Sequence, residues 1–254
     1  MIQHPTAHEP LYFSAFTVPI HALVVGASGG IGGALVKALL ADAKVASVRG
    51  WSRNPSALEH AKLTGAAVDI TDERSIITAL EGCTALNLVI VATGLLHDGA
   101  RHQPEKSWRA LDAATLARNF AVNTIGPALI AKHTLPLFPR DGRAVFAALS
   151  ARVGSISDNR LGGWYGYRAS KSALNQILRT LSVELATKRR DALCVGLHPG
   201  TVDTGLSKPF QGNVADSKLF TADLAARQLL QVIDGLTPSE TGRVFAWDGQ
   251  EIPA

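Results

Sequence analysis

The sequence predicts an α/β fold built on a single doubly wound parallel β-sheet of about seven strands, with helices on both faces. Over residues 20–254, short apolar runs alternate with longer segments of helical periodicity, as strands and crossover helices do in a parallel sheet. Candidate ligand-binding residues follow the ends of these runs, and open α/β sheets bind ligands at the carboxyl ends of their strands. A length of 254 residues suits one such domain.

Composition excludes several classes of protein. No run approaches the ~18 apolar residues of a membrane span. Residues 1–19 lack the basic start and compact apolar stretch of a secretory signal, so we expect an irregular N-terminal arm. Cys83 and Cys194 are too few and too far apart for a disulfide framework or a metal site, and they fit the reducing cytoplasm. The basic cluster 188–190 lacks interleaved aromatic residues, so no nucleic-acid partner is expected.

The first apolar run, 21–26, leads into a glycine-rich turn and then a helical pattern over 34–40. The turn has the spacing Gly-x-x-x-Gly-x-Gly over 26–32. Glycines let backbone approach a pyrophosphate, and the following helix N-terminus offers free N–H groups and a positive dipole end. This order predicts a dinucleotide site on a Rossmann-type sheet; the alternative is a tight turn that merely needs glycine.

The second strand is predicted over 45–51, followed by a helix over about 54–62. In dinucleotide folds the end of this strand meets the adenosine ribose, where an acid binds the 2′-hydroxyl of NAD and an arginine accommodates the 2′-phosphate of NADP. The position holds Ser52 and Arg53 and no acidic residue, which favours NADP, with NAD possible. Arg53 could instead be only a surface charge.

A third strand is predicted over 66–70, and the most apolar and central strand over 86–92. Asp69 could cap the loop that follows or accept from the adenine amine. Thr71 is predicted to be the N-cap of a helix reaching about residue 80. Gly94 follows the central strand, where a missing side chain would let the backbone approach a cofactor.

The segment 95–109 is predicted to be a solvated loop, with His97 and His102 too isolated to hold a metal. A long helix is predicted over about 112–135, with Asn123 in its interior. Asparagine is a poor interior helix residue because its amide competes for backbone hydrogen bonds. A buried Asn123 would hold a water or bend the helix; the alternative is a polar surface position.

Tyr167 and Lys171 open a further helix, after a strand over 143–149 that ends at Ser150. Residues four apart share a helix face, so both side chains can point into one pocket. A lysine there favours the phenolate, lowers the tyrosine pKa from about 10 toward neutrality and can grip a ligand hydroxyl. Tyr167 would then exchange a proton at physiological pH. The alternative is a pair on a solvated helix face.

The rest of the chain continues the alternation. A strand over 193–197 leads into a loop over 198–204, and the composition of 205–220 is that of a mobile lid. Thr221 is predicted to open the next helix, and 243–247 to form a last short strand.

The sequence resembles the short-chain dehydrogenase/reductase family across nearly all of residues 20–254. The resemblance rests on GASGGIG at 26–32, VDI at 68–70, NTIGP at 123–127, YRASK at 167–171 and HPGTVDT at 198–204. The run from 153 to 175 is similar to the subgroup of C-factor proteins and sniffer-type carbonyl reductases.

The resemblance implies a role for each matching residue. Tyr167 would be the general acid in carbonyl reduction, Lys171 would bind the nicotinamide ribose, and Asn123 would hold the water of a proton relay. A serine after the fifth strand would bind the substrate carbonyl, and Val202 and Thr204 would meet the nicotinamide carboxamide. The candidate catalytic residues are Asn123, Ser150, Tyr167 and Lys171; the candidate cofactor-binding residues are Gly26, Ser28, Gly30, Ile31, Gly32, Ser52, Arg53, Asp69, Ile70, Ala92, Gly94, Tyr167, Lys171, Pro199, Gly200, Val202 and Thr204.

Three positions depart from the family pattern. Val25 stands where a threonine usually braces the glycine turn, and 91–94 read Val-Ala-Thr-Gly in place of Asn-Asn-Ala-Gly. The expected catalytic serine aligns with Ala151, one residue after Ser150. Either the strand end is adjusted so that Ser150 reaches the carbonyl, which we favour, or the role of the serine is lost.

The expected function is therefore NADPH-dependent reduction of a ketone or aldehyde to an alcohol by hydride transfer. The alternative is a nucleotide-binding signalling or regulatory protein of C-factor type with weak or vestigial reductase activity. Turnover of any carbonyl compound would separate the two. The family often pairs through the long helices that hold Asn123 and Tyr167, which makes a homodimer or homotetramer possible.

Overall fold

The computed structural model describes residues 13–99, 103–213 and 215–254, so residues 1–12 of the predicted arm and His102 lie outside it. The strands are β1 (Ile20–Val25), β2 (Val45–Ser52), β3 (Leu63–Ala67), β4 (Leu88–Val91), β5 (Ala144–Leu149), β6 (Ala192–His198), β7 (Thr201–Val202), β8 (Leu219–Phe220), β9 (Val244–Ala246) and β10 (Glu251–Ile252). The helices are α1 (Gly30–Ala41), α2 (Glu73–Ala79), α3 (Ala113–Phe120), α4 (Gly126–Thr134), α5 (Tyr165–Lys188) and α6 (Ala222–Gly235). None of the described helices is long and apolar enough to cross a membrane.

Eight of these strands form one sheet in the order β10-β9-β6-β5-β4-β1-β2-β3. All neighbours are parallel except β9 and β10. Strand order reverses between β1 and β4, and such a switch point opens a crevice at the carboxyl ends of the strands. The predicted doubly wound parallel sheet is confirmed, with the antiparallel β10 added at one edge.

One apolar layer covers each face of this sheet. Leu35 of α1 and Leu229 of α6 belong to one buried cluster, and Ile130 of α4 and Leu174 of α5 belong to the other. Strands β4 and β5 are buried along their whole length, as their unbroken apolar sequences predict. The buried sheet and both helix layers hold the strand ends in fixed positions.

Residues 13–19 have no regular secondary structure but pack firmly on the body of the protein. Phe13 and Phe16 are buried with α1 and α6, and their rings meet edge to face. The carboxylate of Asp234 accepts hydrogen bonds from the backbone N–H groups of Ser14 and Ala15. Phe13 and Phe16 of the predicted arm therefore belong to the core, while residues 17–19 are exposed.

The segment between β2 and β3 differs from its prediction. The helix expected over 54–62 is absent, because residues 54–61 are all exposed, Leu58 at 41% among them, and so the segment buries no apolar face. Strand β3 instead begins at Leu63 and ends at Ala67, earlier than expected. The N-cap of α2 is Asp72 and not Thr71, since the Asp72 carboxylate accepts from the Arg74 N–H, while the Thr71 hydroxyl donates to Asp69.

The predicted helix over 112–135 is interrupted by a π-helical turn at Ala121–Ile125, which separates α3 from α4. Pro127 contributes to the break, because it has no N–H to donate to the carbonyl of Asn123. Gly126 lets the turn lie against Ile70, in the segment between β3 and α2, since a Cβ there would lie 2.6 Å from the Ile70 side chain. Asn123 is buried in this turn, so the alternative of a polar surface position is not the one observed.

Candidate active site

Tyr167 and Lys171 share the inner face of α5 and are both buried, at 8% and 2% exposure. The Lys171 Nζ lies 5.8 Å from the centroid of the Tyr167 ring. It also donates a hydrogen bond of 2.7 Å to the carbonyl of Leu149, the last residue of β5. Gly154 permits this approach, because a Cβ there would lie 2.9 Å from the Lys171 Cβ. The structure brings the predicted pair together in the interior, not on a solvated face.

Burial sets the protonation of both groups. It raises the pKa of Tyr167 to about 12 and lowers the pKa of Lys171 to about 8. The expectation that Lys171 brings the tyrosine pKa toward neutrality was wrong: burial disfavours the charged phenolate and raises the pKa of Tyr167 instead. Tyr167 is therefore a fully protonated phenol at physiological pH.

Asn123 is completely buried and joins the segment after β4 to α5. Its Oδ1 accepts from the Leu95 N–H at 2.7 Å, and its Nδ2 donates to the Leu95 carbonyl at 2.8 Å and to the Ser170 hydroxyl at 3.0 Å. These bonds use the side-chain amide for bracing. Asn123 lies within the π-helical turn that separates α3 from α4.

Ser150 does not meet Tyr167 in this structure. Its hydroxyl donates a 2.6 Å hydrogen bond to Oδ1 of Asn175, one helical turn beyond Lys171. Ala151 instead packs in the small cluster that contains Tyr167 and Leu96. The strand end is therefore not adjusted as we favoured: the two residues present opposite faces, as successive residues of extended backbone do.

A cavity of about 370 Å³ lies at the carboxyl ends of β1, β2 and β4. Eight of the candidate cofactor-binding residues line it, namely Gly26, Ser28, Ser52, Arg53, Asp69, Ile70, Ala92 and Gly94. Gly94 also connects the cavity to the buried pair, since a Cβ there would lie 3.7 Å from the Lys171 Nζ. The cavity and the buried pair thus form one continuous site.

The glycine turn has clear steric reasons for its composition. Gly26 has a φ of 91°, and a Cβ on Gly32 would lie 2.1 Å from the Gly26 carbonyl oxygen. A Cβ on Gly30 would lie 2.6 Å from the Thr204 side chain. The turn therefore needs two of its glycines for its own shape, while the third admits Thr204. Ile31 follows within the first turn of α1.

The far end of the cavity is polar. The Asp69 carboxylate accepts from the Thr71 N–H and hydroxyl, and these bonds, with a smaller contribution from the Arg53 charge, lower the pKa of Asp69. Of the two roles considered for Asp69, this geometry supports the loop cap. Ser52 donates its hydroxyl to the Asn54 carbonyl, so it braces the turn that presents Arg53.

The loop 198–204 borders the opposite side of the site. Gly200 has a φ of 76°, and a Cβ there would lie 2.7 Å from the Phe220 ring. Val202 is buried in β7, which pairs with β8. Pro199, Gly200, Val202 and Thr204 are not among the residues lining the 370 Å³ cavity; Thr204 packs against Gly30 of the glycine turn.

The predicted lid over 205–220 packs near Tyr167 through Phe210. It contains short 3₁₀ turns at Lys208–Asn213 and Asp216–Lys218. The Phe210 ring meets Trp164 at 5.1 Å and His97 at 5.6 Å between centroids, and Trp164 meets Tyr167 at 6.3 Å. The His97 Nε2 lies 3.0 Å from the Gly205 carbonyl oxygen and 3.1 Å from that of Leu206.

Sequence reasoning missed two contributors to the site. His97, expected in a solvated loop, fastens the lid across more than a hundred residues of chain. Thr93 lines the cavity, and its buried hydroxyl has no partner among the described residues. A lone histidine in a polar loop carries no signal for such a contact. The described residues contain no group of three or more His, Cys, Asp or Glu side chains that could hold a metal.

Comparison with known proteins agrees with this geometry. The family model for short chain dehydrogenases matches residues 20–214, so the chain belongs to the short-chain dehydrogenase family and is an oxidoreductase. The C-signal protein of Myxococcus xanthus is 38% identical over 149 residues, which are 58% of this chain and 84% of that protein.

Two solved structures share the fold over most of the chain. The NADPH-bound carbonyl reductase from chicken fatty liver has a TM-score of 0.80 and 25% identity, covering 93% of this chain and 100% of the other. The carbonyl reductase Sniffer of D. melanogaster has a TM-score of 0.80 and 27% identity, with the same coverage. The resemblance to the family and to its C-factor and sniffer-like members is confirmed.

Proposed function

We propose that the protein reduces a ketone or aldehyde to an alcohol, with NADPH as the hydride donor and Tyr167 as the general acid. The observation that carries the proposal is the burial of Tyr167 and Lys171 together, beside a cavity at the switch point of the sheet. A protonated phenol in a dry pocket can deliver a proton to a carbonyl oxygen, and water is kept from the reacting atoms.

The residues around the cavity fit a dinucleotide. The glycine turn and the N-terminus of α1 suit a pyrophosphate, and Arg53, Ser28 and Asn54 offer donors to a 2′-phosphate. The printed description of the chicken carbonyl reductase as NADPH-bound supports the same choice. NADPH would supply the hydride.

Tyr167 and Lys171 have different roles in the proton transfer. Tyr167, with its pKa near 12, holds its proton until the carbonyl oxygen gains negative charge. The Lys171 ammonium then favours the phenolate that remains, since an opposite charge nearby stabilises it. One N–H of Lys171 is used by Leu149, which leaves two donors for a ribose hydroxyl.

Asn123 supports the return of a proton to Tyr167 after the phenol has given its own to the carbonyl oxygen. Pro127 cannot donate to its carbonyl, which leaves that oxygen available to a water between the site and solvent. The side-chain amide meanwhile fixes the turn against Leu95 and Ser170. We propose that Asn123 orients the relay water through its backbone carbonyl.

The chain works without the usual serine. With Ala151 beside Tyr167 and Ser150 bonded to Asn175, the substrate oxygen receives its hydrogen bond from Tyr167 alone. Losing one such donor typically lowers the rate by about 10²–10³. We therefore propose a slow reductase and no catalytic role for Ser150.

The walls near Tyr167 indicate the substrate class. Leu96, Val153, Trp164 and Phe210 pack in the same apolar cluster as Tyr167. Such walls select by shape and burial of apolar surface. We propose an aldehyde or ketone that carries an aromatic or other flat apolar substituent.

NADPH consumption with a panel of aromatic and aliphatic carbonyl compounds tests the proposal. We expect turnover with aromatic members, weaker turnover with small aliphatic ones and a lower rate with NADH. Tight NADPH binding without turnover of any compound would contradict the proposal. That result would favour the second candidate, a nucleotide-binding signalling protein, for which the similarity to C-signal and the alanine at 151 are the supporting observations.

A further inference from the structure

Glu105 is a buried acidic residue that the reaction described above does not use. It is 4% exposed, although it lies in the long segment between β4 and α3. Its Oε2 accepts a 3.1 Å hydrogen bond from the backbone N–H of Gly166, and its backbone carbonyl accepts one of 2.5 Å from Trp164. Both partners belong to the start of the helix that carries Tyr167.

The N-terminus of α5 needs an acceptor from elsewhere in the chain. Its N-cap residue is Trp164, which has a left-handed backbone with a φ of 53° and no side-chain acceptor. The first N–H groups of a helix have no partner within the helix and are usually satisfied by a serine, threonine, aspartate or asparagine at the N-cap. Here the carboxylate of Glu105, 61 residues earlier, takes that place.

The surroundings of the carboxylate are closely fitted. A Cβ on Gly166 would lie 2.9 Å from the Glu105 Oε1 and 2.8 Å from the Asn119 Nδ2. The Oε1 itself is buried and has no hydrogen-bond partner among the described residues. A buried carboxylate oxygen without a partner destabilises a fold. If residue 105 only braced helix α5, an amide or a hydroxyl would therefore serve better than a carboxylate.

We propose that Glu105 is a positioning residue for the reduction: it holds the first turn of α5, and with it the Tyr167 hydroxyl, and adds to the effect of burial a negative charge that further disfavours the phenolate. The inference rests on the proposed function. A helix N-terminus favours negative charge in its first turn, and it would favour the Tyr167 phenolate. The carboxylate at Gly166 offsets this effect one residue before Tyr167.

Other titratable side chains lie on the elements around Tyr167. The basic ones are Lys171 and Arg168 on α5, Arg152 in the turn after β5, His97 after β4 and Lys208 in the lid, and the acidic ones are Asp158 and Asp98. Asp158 is paired with Arg152 and Asp98 with Arg118, so Glu105 is the acidic group that directly contacts the start of α5 within the described chain.

The test compares Glu105→Gln, Glu105→Ala and Gly166→Ala with Glu59→Gln, a matched change at an exposed glutamate. Glu105→Gln keeps an acceptor for Gly166 and removes the charge, so kcat should be largely kept while its alkaline limb moves to lower pH. Glu105→Ala removes the acceptor as well, and a displacement of the Tyr167 hydroxyl on the order of 1 Å should lower kcat by about 10²-fold. Gly166→Ala pushes the carboxylate away and should resemble Glu105→Ala. NADPH affinity should change in none of them.

Ionisation of Tyr167 supplies a readout that does not need turnover. Tyrosinate absorbance is titrated in each variant and in the same variant carrying Tyr167→Phe, and the difference isolates residue 167. We expect Glu105→Gln to ionise Tyr167 at lower pH than wild type or Glu59→Gln. An unchanged titration, with all Glu105 and Gly166 variants differing only in thermal midpoint, would overturn the inference. Absence of turnover in wild type would contradict the proposed function instead.

Discussion

The candidate site has two ends that are built in different ways: an adenosine end around Arg53 and a reaction end around Tyr167. At the adenosine end, the contacts are short in sequence: Asp69 bonds to Thr71, and Ser52 to Asn54, around an exposed Arg53. At the reaction end, Tyr167 is buried by segments far apart in the chain, including Leu96 and the lid. The first end is polar and open, and the second is apolar and closed.

This difference separates binding from chemistry. Phosphate recognition needs charge and free N–H groups, which function well beside water. Proton transfer needs a fixed distance and a site from which water is excluded. Changes at the adenosine end should therefore alter cofactor affinity with little effect on kcat, and changes at the reaction end should do the reverse.

Apart from loss of Tyr167 itself, the largest expected effect on kcat is a gain at the reaction end. Ala151→Ser places a hydroxyl beside Tyr167, where it can bind the carbonyl oxygen, and should raise kcat by up to about 10². Steady-state kinetics at saturating NADPH measures it. The matched control is Ser150→Ala, which loses only the bond to Asn175 and should leave kcat almost unchanged. Loss of activity in Ser150→Ala, without gain in Ala151→Ser, would restore the catalytic role to Ser150.

At the adenosine end, Arg53→Ala should weaken NADPH binding by about 10-fold or more, because a charge-assisted hydrogen bond contributes about 1.5–3 kcal/mol. NADH binding should not change, since NADH has no 2′-phosphate. Fluorescence titration of both nucleotides measures the effect, with Arg49→Ala on the same strand as the control. Equal loss for both nucleotides would show that Arg53 does not read the 2′-phosphate.

A smaller effect is expected from opening the lid. Phe210→Ala removes the contacts with Trp164 and His97, so water should reach Tyr167 more easily. The pKa of Tyr167, raised to about 12 by burial, should then fall toward its usual value, and KM for aromatic substrates should rise several-fold. Difference titration of tyrosinate and steady-state kinetics measure the two changes. An unchanged titration would mean that the lid does not exclude water from the phenol.

The parts that sequence could predict are those specified locally. The alternation of apolar runs indicated the parallel sheet, and the spacing of Tyr167 and Lys171 placed both on one face of α5 because helical periodicity requires it. Eight of the residues that line the cavity followed from the rule that ligands bind at strand ends. Each of these depends on residues close together in the chain.

The parts that could not be predicted depend on distant contacts. Ser150 and Ala151 differ only in the face of an extended backbone, and the choice is decided by Asn175 on another element. The helix expected over 54–62 had acceptable local signals, but residues 54–61 are exposed and bury no apolar face that would stabilise it. Burial, which sets the pKa of Tyr167, comes from Leu96, Trp164 and the lid together.

The most direct test of the central claim compares hydride transfer in wild type with hydride transfer in Tyr167→Phe. NADPH deuterated at the transferred position is incubated with an aromatic aldehyde, and deuterium in the alcohol is measured by mass spectrometry. Wild type should give deuterated alcohol, and Tyr167→Phe should give it about 10²–10⁴-fold more slowly with unchanged NADPH affinity. Alcohol without deuterium, or equal rates for the two proteins, would contradict the account.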